Sequence, residues 1–507
     1  MRDKNGILVF DIGTTSVKSA IFASSGALLC SVSAPYKTVY PRPGWAEQDP
    51  ELFWEAAVKG ARNLLASPEA LGVSIEAIGL SGHMNGCLPV DAGGNPVYPE
   101  IIHSDSRSGA QWERILALFG ADRIYAETGS PADVHFSLSK MLWLKDEQEG
   151  AFKKTAWFLN SKDYLRFRLT GNPGLTDFSD ASLTDVFDVN KRQWAWDLID
   201  ALELSRERFP EVRSSVETCG GLSKEAALVL GLLPGIPVSV GGGDGACATR
   251  GSGVRAKGEA YISVGSSAFM SMLSPVPVFD AAGRNQNFFD LDGVSCNVCG
   301  TAQCAGSAVD WGLSLLFGDE PLTPEQYRRI EEGLEDIPPG SQGVIFLPYL
   351  MGERTPHWDP NARGVFTGLS LSSGREVLLR SVYEGVAFAL KEIAGLYDDL
   401  AMPVTSLTLL GGGIRSSFWR TVICDILGTP MKIHPFPTHA IALGAAMAAG
   451  VSVGIWKNLD EAADHVDFSG QELVPDKEKT WCYEGYYQIY RNLYRGLKKS
   501  FDELSAI

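Results

Sequence analysis

Four times along the chain a short apolar run stops at a cluster of glycines and small hydroxyl residues, at Gly13, Gly241, Gly265 and Gly411. A run of that length reads as a buried strand. Glycine just past its end allows a turn that a residue with a Cβ resists. The first instance is the richest. Residues 7–10 are apolar, Asp11 follows, Gly13 turns, and Thr14, Thr15 and Ser16 supply hydroxyls and backbone N–H groups before a strand resumes over 18–22. A hairpin is expected there. Backbone amides in such a turn can hold phosphate oxygens, and the acid can hold Mg²⁺ through water. On these residues alone an ordinary surface hairpin is the alternative reading.

The rest of the first half alternates strand and helix signals. Residues 28–33 read as a third strand, 51–66 as a helix started by Asp49-Pro50, and 76–80 as a strand followed by a loop over 81–86. Residues 88–90 resume a strand and 91–95 turn. Such mixing implies an α/β fold with a mixed sheet. After Pro234-Gly-Ile-Pro237 a strand over 238–240 leads into Gly241-Gly-Gly-Asp244-Gly245. Past Gly251-Ser-Gly253 the pattern restarts, with a strand over 260–264 and a turn at Gly265, Ser266 and Ser267. Two domains of related design follow from this, 1–252 and 253–507. A strand over 407–410 precedes Gly411, Gly412 and Gly413. Helices are expected over 417–427 and 481–504.

Charge and cysteine usage exclude several classes. The net charge of −17, without a long basic run, argues against nucleic acid or an anionic membrane as the main partner. No apolar run approaches a membrane span, and polar residues 1–6 give no secretion signal. Nine scattered cysteines then read as reduced cytoplasmic thiols. Cys296, Cys299 and Cys304 begin like a metal knuckle but lack a fourth soft ligand nearby.

Two of the four turns carry an isolated acid, Asp11 and Asp244. The segment at Gly241 fits a loose dinucleotide fingerprint, but an Asp inside it would repel a pyrophosphate. A Walker A loop and the His-Arg-Asp triplet of protein kinases are both absent. Asp244 suits a general base that takes a proton from an attacking hydroxyl. It equally suits the cap of a helix beginning near Ala246.

The ordered set of motifs resembles the FGGY family of carbohydrate kinases, most closely its xylulokinase branch, from about residue 7 to 450. Asp11-Ile-Gly-Thr-Thr-Ser-Val-Lys18 resembles the first phosphate motif, and Pro43-Gly-Trp-Ala-Glu-Gln-Asp-Pro50 the early sugar-side loop. Ser137-Leu-Ser-Lys140-Met-Leu-Trp143 resembles the first signature, and Gly241-Gly-Gly-Asp244 the catalytic-base segment. Ser263-Val-Gly265-Ser-Ser267 matches the second phosphate motif, and Pro348-Tyr-Leu-Met-Gly-Glu353-Arg-Thr-Pro356 is close to xylulokinase wording. Gly364-Val-Phe-Thr-Gly368, continuing to Glu384-Gly385, resembles the second signature, and Gly411-Gly-Gly413-Ile-Arg-Ser416 the adenosine motif.

The resemblance implies two actin-like ATPase (ribonuclease H-like) domains around a central cleft, with ATP mainly on the second and sugar mainly on the first. Asp11 and Asp244 would hold Mg²⁺, and Asp244 would be the base. Gly13, Thr14, Thr15, Gly265, Ser266, Ser267, Gly411, Gly412, Gly413 and Ser416 would bind the nucleotide. Trp45, His83, Met84, Asn85, Asp244 and Gly245 would face the sugar, with the Trp45 ring covering its C–H face. Three departures stand out. Gly82-His-Met-Asn-Gly86 replaces the usual Gly-Gln-Met-His-Gly, Gly245 replaces the Asn after the base, and Val377 replaces a polar residue. The first two put D-xylulose in doubt while leaving phosphoryl transfer intact, and Gly245 is expected to leave space beside the sugar. The implied function is ATP-dependent phosphorylation of a small sugar, a ketopentose such as xylulose. Kinases for other pentuloses, polyols or gluconate are the alternatives. A nucleotide-switched interaction protein of the same fold and a catalytically silent sugar sensor are rivals of another class. The chain could pair as a homodimer.

Overall fold

In the computed structural model, which describes residues 5–318, 320 and 322–506, the four strand–turn units fall into two sheets of seven strands each. The first holds β1 (Asn5–Ile12), β2 (Ser16–Ala23), β3 (Leu28–Pro35), β4 (Ser74–Gly82), β5 (Thr218–Gly221), β6 (Pro237–Ser239) and β7 (Gly242–Gly243). Its order is β5-β6-β4-β1-β2-β3, with β7 also paired to β4. The second holds β8 (Glu259–Val264), β9 (Ala268–Ser274), β10 (Gln286–Phe289), β11 (Cys296–Ala302), β12 (Ser406–Leu410), β13 (Met431–Ile433) and β14 (Glu472–Leu473), in the order β10-β11-β9-β8-β12-β13-β14.

The two sheets share one plan. The first strand of each, β1 or β8, pairs antiparallel with the next strand and parallel with a strand that arrives later through a helix, β4 or β12. Parallel pairing requires such a crossover. In the first sheet the crossover is α1 (Pro50–Leu65). Asp49 caps it by accepting the Glu51 amide at 3.0 Å, Pro50 occupies the first turn, and Phe53, Ala57, Ala61 and Leu64 form its buried stripe.

The remaining helices that matter here are α2 (Asp244–Gly251), α3 (Gly306–Phe317), α4 (Arg375–Asp399), α5 (Ser417–Leu427), α6 (Ala440–Ser452) and α7 (Lys477–Ser505). Helix α6 follows β13 of the second sheet in the chain, yet Ala442, Ala445 and Ala449 share a core with Ile7, Val9 and Ala77 of the first. Its alanines and glycine explain how. A Cβ on Gly444 would lie 1.9 Å from the Cys247 carbonyl of α2, and one on Gly251 would lie 1.7 Å from the Ala440 carbonyl. Gly79 of β4 lies similarly against Ala445 of α6. Backbone-to-backbone contact of this kind leaves no room for side chains, so α2 and α6 form one crossed unit on the first sheet.

Several expectations shift at the edges. Strand β4 continues through Ser81 and Gly82, which the sequence suggested as loop. Helix α7 begins at Lys477, capped by Asp476. Cys296 and Cys299 lie three apart on β11, so they face opposite sides of the sheet. Cys296 joins the core with Phe187 and Trp194, Cys299 joins Phe288, and Cys304 joins Ala305 and Val309. Among the described residues no three His, Cys, Asp or Glu side chains are grouped to hold a metal. Among the same residues no helix is long and apolar enough to cross a membrane.

The close crossing yields a stability prediction. Gly444→Ala drives a methyl into the α2 backbone and should cost about 1–3 kcal/mol or more, read from the denaturant midpoint. Gly496→Ala, on the exposed face of α7 where nothing lies within 4 Å of the new Cβ, should instead stabilise by about 0.5–1 kcal/mol.

Candidate active site

Three strands converge where the acids sit. Asp11 of β1 pairs with Ser81 of β4, and Ser81 pairs in turn with Gly242 of β7. Asp244 follows immediately as the first residue of α2, with Gly243 in the cap position. The expectation that Asp244 caps a helix starting near Ala246 is therefore corrected: Asp244 lies inside the first turn, and its carboxyl is half-buried at the cleft.

Burial raises the Asp11 pKa, opposed by Lys18 across the hairpin and by the Ser81 hydroxyl. Asp244 is pushed up to about 7, first by burial and then by the charge of Asp11, with the Gly245 amide and Lys18 pulling the other way. Two carboxylates that repel each other in a dry setting titrate as a pair.

The first small-residue turn is braced from outside. The Gly13 amide donates to the Ser16 carbonyl at 3.0 Å, Gln48 Nε2 donates to the Thr14 carbonyl at 2.7 Å, and the Tyr36 amide donates to the Thr15 carbonyl at 3.0 Å. The Tyr36 hydroxyl donates to the Gly13 carbonyl. In the second turn the Gly265 amide donates to the Ser267 carbonyl at 2.8 Å, while the Ser266 carbonyl accepts from Ala305 and from the Ser307 hydroxyl at the start of α3.

Gly265, Ser266, Gly412, Gly413 and Ser416 line one cavity of about 650 Å³ in the second half. Its size suits a nucleoside-scale ligand. Val309, Leu322, Tyr327 and Trp419 give it apolar walls, and Asp310, Glu331 and Arg415 add charges. Gly411 and Ser267 adjoin these residues in the chain without lining the cavity. A Cβ on Gly411, at φ +91°, would strike the Val264 carbonyl at 2.3 Å, so glycine is required for β12 to end against β8. Ser416 also caps α5, accepting the Trp419 amide at 2.9 Å.

On the other side of the acids, the His83 amide donates to the Ile12 carbonyl at 2.9 Å, which pins the loop beside Asp11. Met84 reaches the base segment: a Cβ on Gly243 would lie 2.5 Å from its sulfur. Asn85 sits at φ +64°, and Lys140 Nζ donates to its carbonyl at 2.7 Å. The Asn85 Oδ1, both His83 ring nitrogens and both Glu100 carboxylate oxygens are buried without a protein partner. His83 Nε2 and Glu100 Oε2 stand 3.9 Å apart. Burial, and next Lys140, push His83 down to about 4. Burial lifts Glu100 to about 8. Both are therefore uncharged at neutral pH, and each retains hydrogen-bonding capacity for a hydroxyl.

Two expectations change. The space beside Gly245 is filled, because its missing Cβ would sit 3.0 Å from the Phe288 ring. The Trp45 ring lies under the Arg107 guanidinium at 3.8 Å and that of Arg42 at 4.9 Å, and meets Trp143 edge-on. It packs an arginine that is itself paired to Asp105 and Glu47 rather than offering a bare face. Glu100 and His103, whose ring stands 5.9 Å from that of His83, were missed. The signal was an acid and a histidine inside the apolar stretch 97–103.

The raised carboxyls give a signed prediction. An acid whose folded pKa exceeds its unfolded one contributes stability below the unfolded value and loses it as pH rises through the folded value. Asp244→Asn should therefore melt above the parent at pH 8, with the gap closing toward pH 4. Equal melting profiles for the two proteins across that range would refute the buried-pair electrostatics.

The matches to known proteins cover both halves. Residues 6–251 match the N-terminal domain model, and residues 260–453 the C-terminal domain model, of the FGGY family of carbohydrate kinases. The chain is 31% identical to the xylulose kinase of Escherichia coli (strain K12) over 488 residues, 96% of this chain and 98% of that one. Its structure is similar to that of a ligand-bound xylulose kinase from Lactobacillus acidophilus, with a TM-score of 0.90 at 25% identity, covering 99% of this chain and all of that one. A gluconate kinase structure from the same organism has the same TM-score and identity, covering 99% of each chain. The chain belongs to the FGGY family of carbohydrate kinases, enzymes that phosphorylate small-molecule sugars using ATP.

Proposed function

We propose that the acceptor is a small, uncharged, open-chain sugar, a ketopentose such as xylulose, phosphorylated on a primary hydroxyl with Asp244 as general base. The observation that carries this reading is the pairing of Asp11 and Asp244 where the three strands converge, with the base carboxyl raised to about 7. A base is most effective when its pKa lies near the working pH. In its ionised form Asp244 accepts the hydroxyl proton as the sugar oxygen attacks the γ-phosphorus.

We further propose that Mg²⁺ accompanies ATP at Asp11 and Asp244. The residues fit the ion. Two carboxyls repel each other, with Lys18 as the cation that offsets them. Magnesium characteristically takes one or two carboxylates and completes its shell with phosphate and water. When bound it would neutralise charge on the phosphates. The chain's own part is to orient the phosphate tail between the turns at Gly13–Thr15 and Gly265–Ser267. The nucleoside would occupy the 650 Å³ cavity, with Gly411, Gly412 and Gly413 keeping backbone close to it.

The sugar would lie against His83, Met84 and Asn85, with Glu100 and His103 behind them. This places sugar mainly on residues 1–252 and nucleotide mainly on residues 253–507. Closure of the two around the cleft would exclude water, so that the sugar hydroxyl attacks in its place. The two aspartates disfavour an acceptor that carries its own carboxylate. Asn85 stands where the resemblance places His, and Phe288 fills the position of the missing Asn side chain. One polar contact to a buried hydroxyl is thus altered, a change worth about 1–3 kcal/mol of discrimination.

Asp244→Asn should lower kcat by about 10²-fold or more with nucleotide affinity unchanged. Near-normal turnover would remove Asp244 from the mechanism. For the sugar, kcat/KM across the four ketopentoses, common polyols and gluconate should show D-xylulose accepted without being clearly preferred. Asn85→His should shift preference toward it. Strong selectivity for D-xylulose in the parent would sink the argument from Asn85 and Gly245, and selectivity for gluconate would sink the ketopentose assignment, either result leaving the base intact.

A further inference from the structure

Behind the Asp244 segment lies a buried network that the phosphoryl-transfer scheme leaves unused. Lys162 is fully buried, and its Nζ stands 2.6 Å from Asp163, 3.1 Å from Asp177 and 3.2 Å from Asp180. Burial works against the lysine's charge, but the three carboxylates outweigh it and push its pKa up. Such a cluster is expensive to desolvate and adds little stability over an apolar replacement. A geometric role is the better account of it.

The network ends at the base. Asp177 precedes the one-turn helix Phe178–Ser182 and accepts three hydrogen bonds through Oδ2: from the Ser179 amide at 2.8 Å, from the Ser179 hydroxyl, and from the Ser215 hydroxyl at 2.9 Å. A serine hydroxyl has one proton. With that proton committed to Asp177, the Ser179 lone pairs are aimed elsewhere, and Oγ accepts the backbone N–H of Gly243 at 2.8 Å. Gly243 is the residue before Asp244. On its other flank the same segment is zipped to β4, with Gly242 opposite Ser81 and Gly243 opposite Gly82. The approach is close: a Cβ on Gly242 would lie 2.2 Å from a Leu291 methyl and 3.1 Å from the Ser215 hydroxyl. The short helix also reaches the second sheet, where the Phe289 amide of β10 donates to the Ser182 hydroxyl at 3.0 Å.

The geometry points to Ser179 as a positioning residue for the base: oriented by Asp177 and Lys162, it fixes the Gly243 peptide and hence the direction in which Asp244 presents its carboxyl to the acceptor. This rests on Asp244 being the base. Ser179 touches neither substrate, and its effect is confined to the chemical step. Misplacing a catalytic group by about 1 Å is enough to cost on the order of 10²-fold in rate.

The test is Ser179→Ala and Ser179→Thr, assayed beside Asp244→Asn. Ser179→Ala leaves the Gly243 amide without its acceptor, and kcat should fall roughly 10- to 100-fold. The sugar KM and the Kd for a non-hydrolysable ATP analogue should stay near the parent's. Ser179→Thr keeps the hydroxyl and should recover most of the rate. An alanine variant with parental kcat overturns the proposal. So does one whose nucleotide Kd worsens as much as its kcat falls, and so does a threonine variant as slow as the alanine one. If Asp244→Asn itself turns over normally, the base assignment falls and takes this inference with it. If Asp244→Asn is inactive while Ser179→Ala is unaffected, only the positioning role is lost.

Discussion

Two carboxylates are held near each other, Asp11 buried and Asp244 half-buried, and both are harder to ionise for it. Asp11 arrives on the first strand of the first sheet, and Asp244 arrives more than two hundred residues later. They meet because β4 accepts pairing on both edges, from β1 on one side and β7 on the other. Everything else around the cleft serves or tolerates that meeting. Lys18, directly across the hairpin from Asp11, supplies the one neighbouring cation that both acids feel. On the proposed reading, the repulsion that remains is of the kind that a bound cation would relieve.

Holding a strained pair demands a stiff frame. The frame is made of backbone rather than bulky side chains. At the α2–α6 crossing glycines and alanines bring carbonyl groups within contact of the opposing helix, and Gly79 brings the sheet equally close to α6. Protein interiors at this density move as units, not by local give. Helix α6 is contributed by the second half of the chain but belongs by packing to the first. Helix α2, which opens with Asp244, is therefore held by a segment from each half. The buried Lys162 cluster and Ser179 complete the frame from behind, through directional hydrogen bonds where packing alone would leave a peptide free to tilt.

The duplicated sheet plan gives the two halves matching turns with different surroundings. Each half presents a hairpin turn of small residues, at Gly13–Thr15 and at Gly265–Ser267, at the end of equivalent strands. In the first half the surroundings of that turn are polar and closed, with His83, Glu100 and Asn85 left partnerless. In the second they open into an apolar-walled cavity with glycine at its rim. One architecture thus holds unpaired buried polar groups on one side and an apolar-walled volume on the other.

The sequence by itself determined the strands, the small-residue turns and the identity of the two acids. These are local facts: an apolar run, a glycine where the chain turns, and an isolated carboxylate beside it. The ordered motifs also determined the family. Tertiary structure decided what local chemistry cannot encode. Whether Trp45 offers a free face depended on Arg107, sixty-two residues away. Whether Gly245 left space depended on Phe288, which arrives from the other sheet. Asp244 read as the cap of a helix until the helix start was fixed at Asp244 itself, which gives the cap position to Gly243. Glu100 and His103 left only the hint of polar residues in an apolar stretch, and Ser179 left none, because their meaning lies in partners brought by distant strands and helices. A pattern of residue types reports burial and turn geometry within a few positions. Which groups are desolvated together, and which of their hydrogen bonds go unmade, is set only when separate segments are packed against one another.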